Sequence, residues 1–148
     1  MAKIVLTNAY VVFEGTYDFS DLVSSITLST VHDVLDVTPV QEGIIYKEVI
    51  AGVGTNSVQF DFYQDFANNS LEEFFGGVPP YNVEPNRIGT KVSCVVRPIN
   101  APKSATNPEY QFEALVNEWT PLNAAVGQLS TVSVNWPISG ENVKDITP

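Results

Sequence analysis

The residues that could carry chemistry are few: one histidine, one cysteine and four pairs of nearby carboxylates. His32 stands beside Asp33, but a serine–histidine–aspartate site built on it needs partners delivered by the fold. No Gly-x-Ser-x-Gly elbow is present to supply one. A lone histidine of this kind reads as a surface loop residue. The carboxylate pairs are Asp18/Asp21, Asp33/Asp36, Asp61/Asp65 and Glu72/Glu73. Two carboxylates can act as acid and base on a glycoside if a cleft holds them at a fixed separation. Asp61 and Asp65 fall on one side of one strand, roughly 13 Å apart at the usual rise, which is too far. Asp18-Phe19-Ser20-Asp21 reads as a turn and lacks the ligand density of a calcium loop.

Cys94 sits in Val92-Ser93-Cys94-Val95-Val96 and reads as a small buried hydrophobe with no local base to activate it. As the only cysteine it forms no intrachain disulfide, which points to synthesis in a reducing compartment. There is no phosphate-binding glycine loop, dinucleotide fingerprint or zinc spacing. The reading is a protein without catalysis, cofactor or metal. Trp119 and Trp136 each end a strand before Thr-Pro or Pro. Exposed aromatics there could stack on sugars or bases. The favoured reading makes them anchors of a core edge or an interface.

The elements that position these residues are strands. Ile4–Phe13 is apolar and β-branched and breaks at Glu14-Gly15; Val23–Thr30 alternates. In Ser57–Asp65, Val58, Phe60 and Phe62 point one way and Gln59, Asp61, Tyr63 and Asp65 the other, so a one-residue slip would exchange the faces. Thr90–Arg97 is apolar on both faces, and Tyr110–Trp119 and Thr131–Trp136 alternate again. One short helix, at about 69–76, is predicted. Asn69 or Ser70 serves as its N-cap, Glu73 completes a capping box, and Leu71, Phe74 and Phe75 form its apolar stripe. The fold class is mainly β, with that helix flanking the sheet.

At 148 residues the chain fits one domain, 1–148, able to bury a core without staples. Two long loops are predicted, at about 31–48 and 76–89. The first is rich in apolar side chains (Val34, Leu35, Val37, Val40, Ile44, Ile45 and Tyr46), which fits packing on a neighbouring copy. Seven basic against seventeen acidic residues give a net charge of −10. Phosphate binding depends on lysine and arginine, so affinity for nucleic acid is disfavoured. No apolar run has the length of a signal peptide core or a membrane span. The expectation is a soluble, cytoplasmically made protein that acts by self-assembly.

Several segments resemble one family. Leu6-Thr7-Asn8-Ala9-Tyr10-Val11-Val12, Asp21–Leu28, Ala51–Val58 leading to Phe62-Tyr63-Gln64-Asp65-Phe66, Ala105–Tyr110 and Glu118–Asn123 are similar to major tail proteins of siphophages of actinobacterial hosts. The likeness runs over most of the chain. It implies a β-sandwich or partial barrel of the phage tail tube type. Its subunits would form hexameric rings stacked into a hollow tube, the conduit for DNA delivery. The implied location is the virion tail, with synthesis in the bacterial cytoplasm. The implied partners are the protein itself and the tail proteins at the tube ends. DNA would pass without specific binding, and no membrane is involved. Under this resemblance Gln59, Asp61, Gln111 and Glu113 are the candidate lumen-facing residues. The 31–48 segment is the candidate contact between rings. The alternatives are a capsid decoration protein and a carbohydrate-binding β-sandwich using Trp119, Trp136 or Tyr81.

Overall fold

A computed structural model describes residues 8–40, 42, 43, 45–66, 70–76 and 87–147. Seven strands and one helix follow in the order β1 (Tyr10–Phe13), β2 (Tyr17–Asp18), β3 (Val23–Asp36), β4 (Val49–Tyr63), α1 (Leu71–Gly76), β5 (Lys91–Arg97), β6 (Glu109–Leu115) and β7 (Thr131–Asp145). All pairings are antiparallel, in the order β2-β1-β5-β6-β7-β4-β3.

β7 decides the architecture. Its first half pairs with β4 (Phe60 opposite Val134, Val58 opposite Trp136), and its second half pairs with β6 (Ala114 opposite Ile138, Gln111 opposite Val143). The strand thus passes from one wall to another. Pro137 and Gly140 stand at the crossing, and Gly140 has φ +82°. A missing amide and a left-handed residue are tolerated where a strand changes partners. The walls β3–β4–β7 and β2–β1–β5–β6–β7 therefore face one another across a shared core. The sheet stays open, with β2 and β3 as its edges. A cavity of about 420 Å³ marks the seam, floored by Ile26, Leu28, Val96 and Tyr110.

Phe13 lies at the centre of the core. Its ring centroid is 5.7 Å from that of Phe60 and 6.3 Å from those of Phe62 and Trp136, which belong to the opposite wall. The helix closes one end of the core with Leu71, Phe74 and Phe75, all buried as the apolar stripe predicts. Ser70 precedes the first turn, and its carbonyl accepts from the Phe74 amide. The Ser70 hydroxyl donates to Asp65 Oδ2 at 2.8 Å, and the Glu73 side chain of the predicted capping box lies outside the described residues. Arg87 ties the far end of the helix down. Its guanidinium lies 3.9 Å from the Phe74 ring centroid and donates to the Phe74 carbonyl, with Glu14 3.5 Å away.

Several boundaries differ from the sequence expectation: β6 ends at Leu115 and not at Trp119, and β4 begins at Val49 and ends at Tyr63. The loop expected from residue 31 is strand as far as Asp36, and the connection to β4 runs over 37–48. Backbone pairing to β4 continues there although no core lies beneath, so the burial pattern that marks a strand in sequence is missing. Pro137 does not end β7, for the reason given above. The second expected loop lies mostly at 77–86, outside the described residues, as does Tyr81.

Candidate functional site

The chemical candidates are dispersed or occupied. His32 lies in β3 and not in a loop; its Nδ1 is 3.1 Å from the Gly52 carbonyl oxygen. The ring rests where a side chain on Gly54 would sit, since a Cβ there would come within 2.7 Å of it. Asp61 accepts from Ser133 Oγ at 2.6 Å, and Asp18 Oδ1 accepts from the Ser20 amide at 2.9 Å in a turn. Burial pushes the Cys94 thiol well above its ordinary 9.0. Among the described residues no group of three or more His, Cys, Asp or Glu is placed to hold a metal. Trp136 is fully buried and donates to the Glu118 carbonyl. Trp119, half-buried, stacks against Phe75 and donates to Glu72. Trp136 thus lies inside the core and not at its edge, Trp119 anchors the edge, and neither offers a flat exposed platform.

What the structure does present is surfaces. The outer face of β3–β4–β7 is a polar wall, with Ser25, Asp61 and Ser133 side by side in one row and Thr27, Gln59 and Asn135 in the next. Alternation puts these residues opposite Phe60, Phe62, Val132 and Val134, which fill the core. No lysine or arginine occurs in β3, in β4 or in residues 131–137. Gln111 and Glu113 lie elsewhere, on the outer face of β5–β6 and the second half of β7, where Glu113 stands between Ser93 and Ser139. That wall carries Lys91, Arg97 and Lys144. The four residues grouped by the sequence reading therefore form two pairs on two walls.

The second wall ends in a charged knot. Buried Glu109 accepts from Arg97 at 2.7 Å and from Gln111 at 2.6 Å, and Lys103 bridges it to Asp145 at 3.5 and 2.6 Å. Burial by itself would raise the Glu109 carboxyl. Hydrogen bonds from Gln111 and Arg97, with the charges of Arg97 and Lys103, outweigh that and hold it below its ordinary 4.5. Hydrogen bonds from Lys103 and Thr147 hold Asp145 well below 3.8, and its hydrogen bond to Asp145 raises Lys103 above 10.5. The two depressed carboxyls stabilise the fold fully above their ordinary values, and that contribution is lost as pH falls through the folded values. The raised lysine contributes fully below 10.5 and loses its share at higher pH. Urea midpoints should therefore fall as pH drops below about 4, as linkage requires. Lys103→Met should fall less steeply, because Asp145 loses its main partner. Parallel pH profiles for the two proteins would contradict this account.

The third surface is an arm formed by the distal halves of β3 and β4, beyond the core. Leu35 opposes Ile50 on one face, and Val34 opposes Ala51 on the other. Val34, Leu35, Val37, Val40, Ile45 and Tyr46 are all exposed, whereas Ile44 lies outside the described residues. The sequence reading missed four further exposed residues: Val31, Val49, Ile50 and Val53. For Val49, Ile50 and Val53 the signal was the stretch 49–54, which has no polar side chain; Val31, between Thr30 and His32, carried no such signal. Exposed apolar area this extensive marks an interaction surface.

No protein-family model matches the sequence, and no curated protein matches it. In fold the chain is similar to a chain from the tail of an empty gene transfer agent (GTA) particle, determined by helical refinement with C6 symmetry. The TM-score is 0.54, and the match covers 95% of each chain at 14% sequence identity. At that identity the likeness shows the fold alone, a mainly β architecture.

Proposed function

We propose that this chain is a major tail tube subunit, which forms hexameric rings that stack into the hollow conduit for DNA delivery. The observation that carries the reading is the separation of charge between the walls. The wall of β3, β4 and the first half of β7 (131–137) presents serine, threonine, asparagine, Gln59 and Asp61 without a single cation, whereas the other wall holds lysine and arginine. Duplex DNA is held by cations that displace its counterions, so a surface that DNA must pass should carry none. On this reading Gln59 and Asp61 face the lumen. Gln111 and Glu113, on the other wall, face outward or toward a neighbour.

Two further features support it. The open edges β2 and β3 are the kind of unpaired strands that a ring would cover. The exposed apolar arm needs a partner, and the C6 symmetry of the structurally similar tail supplies a precedent for six-fold assembly. The virion as its location, and membership among tail proteins of actinobacterial phages, rest on this reading and on the sequence resemblance. Electron microscopy in negative stain tests the proposal. The purified protein at rising concentration should form tubes of stacked rings. Monodisperse monomers at every concentration would overturn it, and oligomers that assemble only on capsids would favour the decoration alternative.

A further inference from the structure

The exposed apolar residues gather at two ends of one strand. The first set is the arm. The second comprises Tyr63 and Phe66 at the opposite end of β4, and Leu122, Val126 and Leu129 on the connection 120–130. The connection 120–130 is fastened there: the Gln64 amide donates to the Ser130 carbonyl at 3.0 Å, and Gln64 Nε2 donates to the Pro121 carbonyl at 2.7 Å. From Val53 on the arm to Tyr63 the strand spans ten residues, roughly 33 Å at the usual rise.

We propose that residues 120–130, with Tyr63 and Phe66, form a socket that receives the arm of the next copy along the tube axis. This rests on the tail tube reading and adds the acceptor surface to it.

Three observations favour a second copy as the occupant. The first is geometric. A surface and its complement at opposite ends of one subunit make a heterologous contact, which propagates without closing, whereas arm against arm would stop at two.

The second is area. Six arm residues and four socket residues are at least 60% exposed. Burying a side chain of this size removes roughly 60–120 Å² from water, so ten bury about 600–1,200 Å² of apolar surface. With an apolar share of roughly 56–58%, the whole contact comes to about 1,000–2,000 Å², which matches the span of stable interfaces.

The third is charge. The arm carries Asp33, Asp36, Glu42 and Glu48 against Lys47, and residues 120–130 contain no charged side chain. In a chain of net charge −10, most surfaces of a second copy would repel that arm, and an uncharged apolar segment does not.

The test uses two double variants of the full chain: Val126→Asp/Leu129→Asp in the socket and Val34→Asp/Val53→Asp on the arm. All four residues are exposed, so both proteins should keep the wild-type circular dichroism spectrum and melting behaviour. Neither variant should elongate into tubes alone. Each retains the half that the other lacks, so an equimolar mixture should give a discrete particle of twice the unit mass by sedimentation, and no tubes. Tubes of normal length from the socket variant would overturn the socket; loss of tubes from the arm variant would then still leave the tail tube reading standing. A mixture that fails to pair would also overturn it. If wild-type protein forms no tubes at any concentration, the tail tube reading fails and the socket fails with it.

Discussion

Phe13→Ala is expected to remove about 3–5 kcal/mol of stability, the range for truncating a fully buried phenylalanine. Phe13 is fully buried, and its ring lies between 5.3 and 6.3 Å, centroid to centroid, from Phe19, Phe60, Phe62, Phe74, Phe75 and Trp136. Those partners come from β4, β7, the helix and the segment after β2, so a cavity here loosens both walls and the element that closes one end. A domain has only about 5–15 kcal/mol to lose. With a urea slope of about 1–3 kcal/mol/M, the midpoint should drop by roughly 2 M. Phe66→Ala is the matched control. Phe66 is 63% exposed in the monomer, and a surface substitution of that kind should stay within about 0.5 kcal/mol. The measurement belongs at low protein concentration, where assembly does not add its own stabilisation. Equal shifts for the two variants would show that Phe13 is not the centre of the core.

Charge reversal on the polar wall should have the largest functional effect. In Gln59→Lys/Asp61→Lys each subunit gains two cations and loses one carboxylate. Both positions lie on the outer face of β4, so the core partners Phe60 and Phe62 are untouched. The local cost is the hydrogen bond from Ser133 to Asp61. Tubes should still assemble. Their lumen would now present lysines to a passing duplex, and each phosphate contact adds affinity that falls steeply with salt. DNA delivery by particles carrying the variant should fall by about tenfold or more, with partial recovery at higher ionic strength. Gln111→Lys/Glu113→Lys places the same charges on the other wall and should leave delivery unchanged. If the second variant blocks delivery and the first does not, the lumen lies on the other side of the subunit.

Much of the fold was legible because strand alternation is local. Val58, Phe60 and Phe62 face inward and Gln59 and Asp61 outward, as the period-two pattern of that segment requires. The helix was legible from Leu71, Phe74 and Phe75 for the same reason: a stripe of apolar residues needs a sheet to lie on. The arm was harder. Residues 31–36 and 49–55 pair as strands over no core, so their side chains carry no inside–outside contrast from which a strand can be read. The crossing at Pro137 was hidden too, because a proline in a strand ordinarily signals its end.

The sequence by itself determined that this is an acidic, mainly β chain with a single histidine and a single cysteine. It also determined which residues of each strand look away from the core. These are properties of composition and of a two-residue period, and they hold whatever the strands pair with. Only the tertiary structure decided which outward-facing residues share a surface. β7 leaves β4 for β6, and that single change of partner separates Gln59 and Asp61 from Gln111 and Glu113. It also leaves one wall free of cations and sets the apolar arm and the apolar segment 120–130 at opposite ends of β4. Pairing between residues as distant as Phe60 and Val134 leaves no mark in local periodicity. The alternation of each strand was therefore readable, and the wall it belongs to was not.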